Sequence, residues 1–259
     1  MLLVLALDTT TRPGSLALVR DDQVLAVASG DPGRTHAERL PGDITSLLSG
    51  ARVDLKQIDV FAVAAGPGSF TGLRIGIATI QGLAFALDRP VVAVSTLDAL
   101  ARIAAESTSQ SPALVAAWMD AQRSEVFAAL YQVCARPGGS QSLDAGAAFD
   151  LIDGPVSEAP GEVLVRWHQM AAGRTIHVAG DGVGRYRDLL ARHLGSLYQP
   201  VEPLPALAPV IGRLGVREAL SGHAVAPHAV RPIYVRRPDA ELARDRRQVP
   251  PATTGRDGA

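Results

Sequence analysis

Apolar residues recur along this chain in two registers. A continuous run from Leu2 to Leu7 stops at Asp8-Thr9-Thr10-Thr11, the pattern of a buried strand that delivers polar groups to its carboxyl end. Ser15 to Arg20 and Gln23 to Ala28 flank Asp21-Asp22 and predict a hairpin. From Thr35 through His36, Leu40, Ile44, Leu47 and Leu48 the spacing changes to three and four, which predicts a helix ending near Gly50. Ile58 to Ala65 is a second buried strand and runs into Gly66-Pro67-Gly68-Ser69-Phe70-Thr71-Gly72. Leu73 to Leu87 is then helix-length and almost wholly apolar; Pro90 to Val94 is a strand, and Leu97 to Ala105 a helix. This alternation points to an α/β layer architecture.

The polar stretch Glu106 to Pro112 marks a boundary, after which the pattern restarts. Strands are expected at Leu114 to Met119 and Glu125 to Val133, around a turn at Asp120-Ala121-Gln122-Arg123. Residues 136–162 are rich in Gly, Pro and Ser and predict loops with one or two minor strands. Thr175 to Ala179 is a strand into Gly180-Asp181-Gly182-Val183-Gly184, followed by helices at Tyr186 to Leu194 and Leu207 to Leu220. The tail from Asp239 to Ala259 lacks periodicity and reads as a disordered end. The expected organisation is therefore a first subdomain, 1–105, and a second, 106–222, whose last helix, 207–222, packs back on the first. A C-terminal segment, 223–259, is expected to be disordered beyond about 240.

Charge and cysteine content narrow the function classes. Lys and Arg number 25 against 26 Asp and Glu, a net charge of −1, which argues against non-specific coating of nucleic acid but leaves room for a local basic patch. The single cysteine, Cys134, excludes an internal disulfide and a cysteine-based zinc site. Asp8 interrupts the first apolar run, no basic segment precedes it, and nothing is expected to approach the roughly eighteen apolar residues of a membrane span. The expectation is a soluble cytoplasmic protein. Lys56 is the only lysine, so a Walker phosphate loop fails at once.

The loop from Gly66 to Gly72 lies between a buried strand and a long helix and carries three glycines with hydroxyls at Ser69 and Thr71. Such a loop can present backbone N–H groups to an anion at a helix N-terminus, or serve only as a tight turn. The dinucleotide fingerprint meets Thr71 where it needs glycine, and the hydrolase elbow meets Pro67. Asp8, at a strand's carboxyl end, either holds a Mg²⁺-bound phosphate or caps the turn that follows. The six histidines, His36, His168, His177, His193, His223 and His228, include no pair three or four apart, so no helical metal face is expected. The helix Leu73 to Leu87, apolar all round, must be covered all round, by this chain or by another; Gly72 and Gly76 would allow a close helix approach.

Several segments together resemble the TsaB family, also called YeaZ. They are Leu5-Ala6-Leu7-Asp8-Thr9-Thr10, His36-Ala37-Glu38, Gly66 through Gly76, Gln81-Gly82-Leu83-Ala84, Val94-Ser95-Thr96-Leu97, Met119 through Phe127, and Pro232-Ile233-Tyr234-Val235-Arg236. The resemblance implies an actin-like ATPase fold of the sugar kinase and Hsp70 type, with two related α/β subdomains. It implies a non-catalytic scaffold needed for threonylcarbamoyladenosine (t6A) at position 37 of tRNAs reading ANN codons. In that family TsaD transfers the threonylcarbamoyl group from its adenylate to N6 of adenosine, and the small ATPase TsaE binds and resets the pair. TsaD holds a metal with the two histidines of a Val-Asn-His-Leu-Glu-Gly-His segment; Val94 through Leu100 matches it here, with Thr96 and Leu100 at the ligand positions.

The resemblance further implies pairing with TsaD, or with a second copy, through helices of the first subdomain. Gly72, Leu73, Gly76, Ile77, Ile80 and Leu83 are the expected contact residues. Asp8, Thr9, Gly66, Gly68, Ser69 and Thr71 are the nucleotide-proximal candidates. No catalytic residue, no metal ligand and no tightly bound cofactor are expected, with ATP or ADP at the TsaD interface as the alternative. tRNA would be met through the complex, and no membrane. Two other readings stay open, an active small-molecule kinase or ATPase of the same fold and a peptidase acting on partner proteins.

Overall fold

One sheet topology is used twice. In a computed structural model that describes residues 1–134 and 147–236, β1 (Leu3–Asp8), β2 (Ser15–Arg20) and β3 (Gln23–Ser29) form an antiparallel meander. β4 (Val60–Gly66) then pairs parallel to β1, and β5 (Val91–Ser95) parallel to β4, giving the order β3-β2-β1-β4-β5. The second sheet repeats this with β6 (Ala113–Asp120), β7 (Val126–Cys134), β8 (Ala148–Glu158), β9 (Ile176–Ala179) and β10 (Tyr198–Pro200), in the order β8-β7-β6-β9-β10. Helices fill equivalent gaps. α1 (His36–Ala51), α2 (Phe70–Leu87) and α3 (Thr96–Glu106) belong to the first half; α4 (Pro160–Ala171), α5 (Gly182–Arg185), α6 (Arg187–Leu194) and α7 (Ala208–Leu220) belong to the second. The chain thus has the actin-like α/β fold, made of two related subdomains.

Strand alternation builds the layers. Leu3, Leu5, Leu7, Phe61 and Val63 point outward to α1 and α2, whereas Val4, Ala6, Ala62 and Ala64 point inward. The inward faces of both sheets enclose α3 and α7 in one central core. α7 lies on the first sheet, and α3 mainly on the second, so each subdomain lends its last helix to the other. α4 and α6 cover the far side, around Trp118 and Trp167.

Three expectations need correction. The stretch 136–162, read as loops with one or two minor strands, includes the 11-residue β8 and the start of α4; its part from 136 to 146 lies outside the described residues, as does the tail beyond about 240 where disorder was expected. β8 breaks the apolar alternation because it is an edge strand, paired only with β7. The expectation that nothing approaches a membrane span also fails by length and composition alone, since α2 has 18 residues and passes that test. Leu73, Gly76, Ile77, Ile80 and Ala84 of this helix are buried, packed on the first sheet, which is how a core helix uses such a sequence. Other positions face solvent: Phe85 is 79% exposed.

Past α7 the chain returns as a strap. Val225 forms a β-bridge with Val91, the Ile233 N–H donates to Ala65 O at 2.7 Å, and Arg236 reaches Glu125 of the other subdomain at 3.0 Å.

Candidate functional site

The carboxyl ends of β1, β4, β6 and β9 meet at a cleft of about 590 Å³ between the subdomains. Asp8 ends β1 and Asp120 ends β6, the same position in the two repeats. Asp8 is 1% exposed and its oxygens are committed. Oδ1 accepts from Thr10 N–H at 2.8 Å and Thr10 Oγ1 at 2.6 Å, and Oδ2 from Thr11 Oγ1 at 2.7 Å. Of the two readings of Asp8, this geometry favours the turn cap. Asp120 accepts from Gln122 N–H at 3.0 Å, Gln122 Nε2 at 2.9 Å and Arg185 at 2.8 Å.

The loop after β4 packs against the segment after β1. A Cβ on Gly68 would fall 2.6 Å from Thr10 Cβ, and one on Gly72 or Gly76 would overlap Thr9. Thr9 Oγ1 donates to Gly72 O at 2.8 Å, which locks the first turn of α2 to the end of β1. Ser69 is the helix cap: its Oγ accepts the Gly72 N–H at 3.2 Å. The glycines therefore create close packing between loop and strand end, and the tight-turn reading carries them.

Of the nucleotide-proximal candidates, Gly68, Ser69 and Thr71 line the cleft. Asp8, Thr9 and Gly66 do not. Asp8 and Thr9 are buried under the loop, and Gly66 is covered by the Ile233 carbonyl of the strap. Of the contact candidates, Gly72, Leu73, Gly76, Ile77 and Ile80 are buried in this chain's own core, which corrects the reading of them as a partner surface. Leu83 alone of the six faces outward, half-buried, into a groove of about 670 Å³ between α1 and α2. The sequence reading missed Asp120 and Asp181 as cleft residues. Their signal was available, since each follows an apolar strand as Asp8 does.

Cleft electrostatics are mixed. Arg12, Arg34 and Arg236 line it with Asp120 and Asp181. Lys56 lies on a 3₁₀ turn (Leu55–Gln57) ahead of the amino end of β4, whereas the cleft is at its carboxyl end. Desolvation in the cleft, with a smaller push from Asp120 and Asp8, raises the Asp181 carboxyl to about 6. A carboxyl whose folded value exceeds its unfolded one stabilises the fold fully below about 4 and loses that contribution as pH rises through about 6. Asp181→Asn is therefore expected to raise Tm at pH 8 and to leave it unchanged at pH 3.5. Water reaches Asp181 through the cleft, so screening holds the gain to about 1 kcal/mol or less, about 2–4 °C. A scan of Tm against pH checks this, and a gain that does not vary with pH would contradict it.

Ser107 and His177 come together at the end of α3. Ser107 contacts His177 Nδ1 at 3.3 Å but donates to Ala104 O at 2.7 Å, as the end of α3, and no carboxylate joins the pair's hydrogen bonds. Among the described residues no group of three His, Cys, Asp or Glu side chains could hold a metal. Thr96 and Leu100 are both fully buried in the central core.

Comparison with known proteins adds the lineage. Residues 30–153 match the family described as TsaD: tRNA N6-adenosine threonylcarbamoyltransferase. The tRNA threonylcarbamoyladenosine biosynthesis protein TsaB of Haemophilus influenzae is 40% identical over 126 residues, 49% of this chain and 52% of that protein. The chain's match thus spans about half the length of such curated relatives. An uncharacterized protein of Mycobacterium tuberculosis is 32% identical across 92% of this chain and 93% of its own length. The structure of YeaZ from Pseudomonas aeruginosa, 33% identical, superposes with a TM-score of 0.71 over 90% of this chain and all of that one.

Proposed function

The chain belongs to the TsaB family, also called YeaZ, and from that premise we propose that it is a non-catalytic scaffold subunit in the formation of t6A at position 37 of tRNA. It pairs with TsaD and helps recruit TsaE. The observation that carries this reading is the burial of Thr96 and Leu100. They stand where TsaD's two metal-binding histidines would be, both are 0% exposed, and neither a hydroxyl nor an isobutyl group replaces imidazole at a transition-metal site. The cleft supports the same reading, because Asp8 is spent on its own turn and no lysine lines it.

The partner surface is the solvent side of α2 with the adjoining α1 groove. Ala78 and Gly82 border that groove opposite Pro41, Thr45 and Leu48, and Phe85 stands out beside it. Gly82 differs from Gly76 in kind. A Cβ there would meet nothing within 4 Å, so this chain does not itself require the glycine, and a neighbouring helix could use the space. An 18-residue helix without a single charge after Arg74 supplies the apolar centre that stable interfaces have.

ATP or ADP belongs to the junction with TsaD and not to this cleft. Calorimetric titration of the lone chain with ATP is expected to show no low-micromolar binding, and such binding would restore the kinase or ATPase reading. The scaffold role is tested by sedimentation of the chain with TsaD and by a transfer assay on the chain alone. A defined complex and no transfer are expected; transfer by the lone chain, or failure to associate, would overturn the reading.

A further inference from the structure

The other flank of α2 has a different chemistry from the α1 groove. From Phe70 to Leu87 and from His223 to Arg236 there is no Asp or Glu, in a chain that has 26 of them. The two segments lie side by side. Gln81 Nε2 donates to Pro227 O at 2.8 Å, and the Tyr234 ring sits 5.8 Å from that of Phe70, tilted by 31°. The Arg74 guanidinium lies 4.0 Å over Phe70. Among the described residues Arg231 is held by the backbone carbonyls of His228, at 2.6 Å, and Val230, at 3.0 Å. Neither Arg74 nor Arg231 has a carboxylate partner among the described residues. Phe70 and Tyr234 nevertheless remain 44% and 38% exposed.

Half-exposed aromatic rings with one guanidinium over them and a second on the neighbouring strap, neither paired with a carboxylate among the described residues, form a poor seat for an apolar protein face, which would desolvate two cations without pairing them. They form a good seat for a single-stranded polyanion with planar bases. Stacking covers the rings, and phosphates pair with the arginines. An A-form duplex keeps its bases stacked away from such a surface, whereas a loop can offer an unpaired base. Resting on the functional reading above, we propose that this subunit touches the tRNA directly. An unpaired base stacks on the Phe70–Tyr234 pair, and Arg74 and Arg231 meet the flanking phosphates.

The test uses the full chain in complex with TsaD and an unmodified transcript of a tRNA that reads ANN codons. Binding is followed by fluorescence anisotropy at several salt concentrations, and modification by its kinetics. The Phe70→Ala/Tyr234→Ala chain and the Arg74→Glu/Arg231→Glu chain are each expected to bind the transcript about tenfold or more weakly. The charge variant should also flatten the salt dependence by about 1–2 in log–log slope. KM for tRNA should rise with kcat near wild type, and Phe70→Tyr/Tyr234→Phe, which keeps both rings, should bind normally. Unchanged tRNA affinity in both variants would overturn the proposal. So would loss of TsaD binding, which would make this flank a protein interface. If the wild-type complex makes no t6A, the functional reading fails separately. Photo-crosslinking of the same transcript then decides the surface alone: crosslinks at Phe70 or Tyr234 uphold it, and their absence overturns it.

Discussion

Gly76→Arg is expected to yield a chain that does not fold stably, and Gly76→Ala one weakened by about 2–4 kcal/mol. Even a methyl group at this position overlaps the Thr9 hydroxyl, with Thr9 Cβ and Cγ2 next in line at 3.3 Å. Thr9 is fully buried and cannot yield without giving up its 2.8 Å bond to Gly72 O. The substitution therefore adds overpacking to a lost buried hydrogen bond, at the junction of β1 and α2 on which the first subdomain is built. Arginine adds the burial of a charge with no partner. Losses of this size are a large fraction of the roughly 5–15 kcal/mol that holds a typical protein together. Chemical denaturation of the Gly76→Ala chain reads the effect, and a midpoint matching wild type would show that Thr9 moves aside freely.

Gly82→Arg, six residues along the same helix, is expected to do the opposite. The lone chain should melt at or slightly above the wild-type temperature, because the side chain enters open space and replaces a residue worth about 1 kcal/mol less than alanine in a helix interior. Association with TsaD should fall by about a hundredfold or more, since a long cation enters a contact suited to close helix approach. Ala78→Arg, one turn earlier on the exposed side, should behave likewise. Wild-type affinity in both variants would show that the partner binds elsewhere.

These two glycines show where the sequence stops being legible. Both sit in one apolar helix, and periodicity alone cannot rank its faces when every face is apolar. What separates them is Thr9, 67 positions from Gly76 in sequence and against it in the fold. The elements around them were readable, because β1, β4 and β5 are short apolar runs closed by Asp8, Gly66 and Ser95, and α1 carries both its spacing and a Thr35–Glu38 capping box. α4 was readable in principle from Pro160 in its first turn and from Val163, Leu164, Trp167 and Ala171 at helical spacing; the Gly- and Pro-rich residues before it obscured that signal. β10, three residues on a sheet edge, is too short to leave a period. The strap shows no periodicity either, because backbone bonds such as that from Ile233 to Ala65, not a buried stripe, hold it in place.

At the cleft, residue types alone could not tell an occupied carboxylate from an available one. Asp8 followed by three threonines is equally a cation site and a turn, and only the three hydrogen bonds it accepts decide between them. Asp120 and Asp181, which line the cleft, are the part of it that geometry added.

The most direct test of the scaffold role is reconstitution of t6A on an unmodified tRNA transcript with TsaD, TsaE and threonylcarbamoyl-adenylate, with and without this chain, read as t6A nucleoside by mass spectrometry. The account predicts no t6A without the chain, t6A with the wild-type chain, and none with Gly82→Arg. Modification at the wild-type rate in the absence of the chain would contradict it.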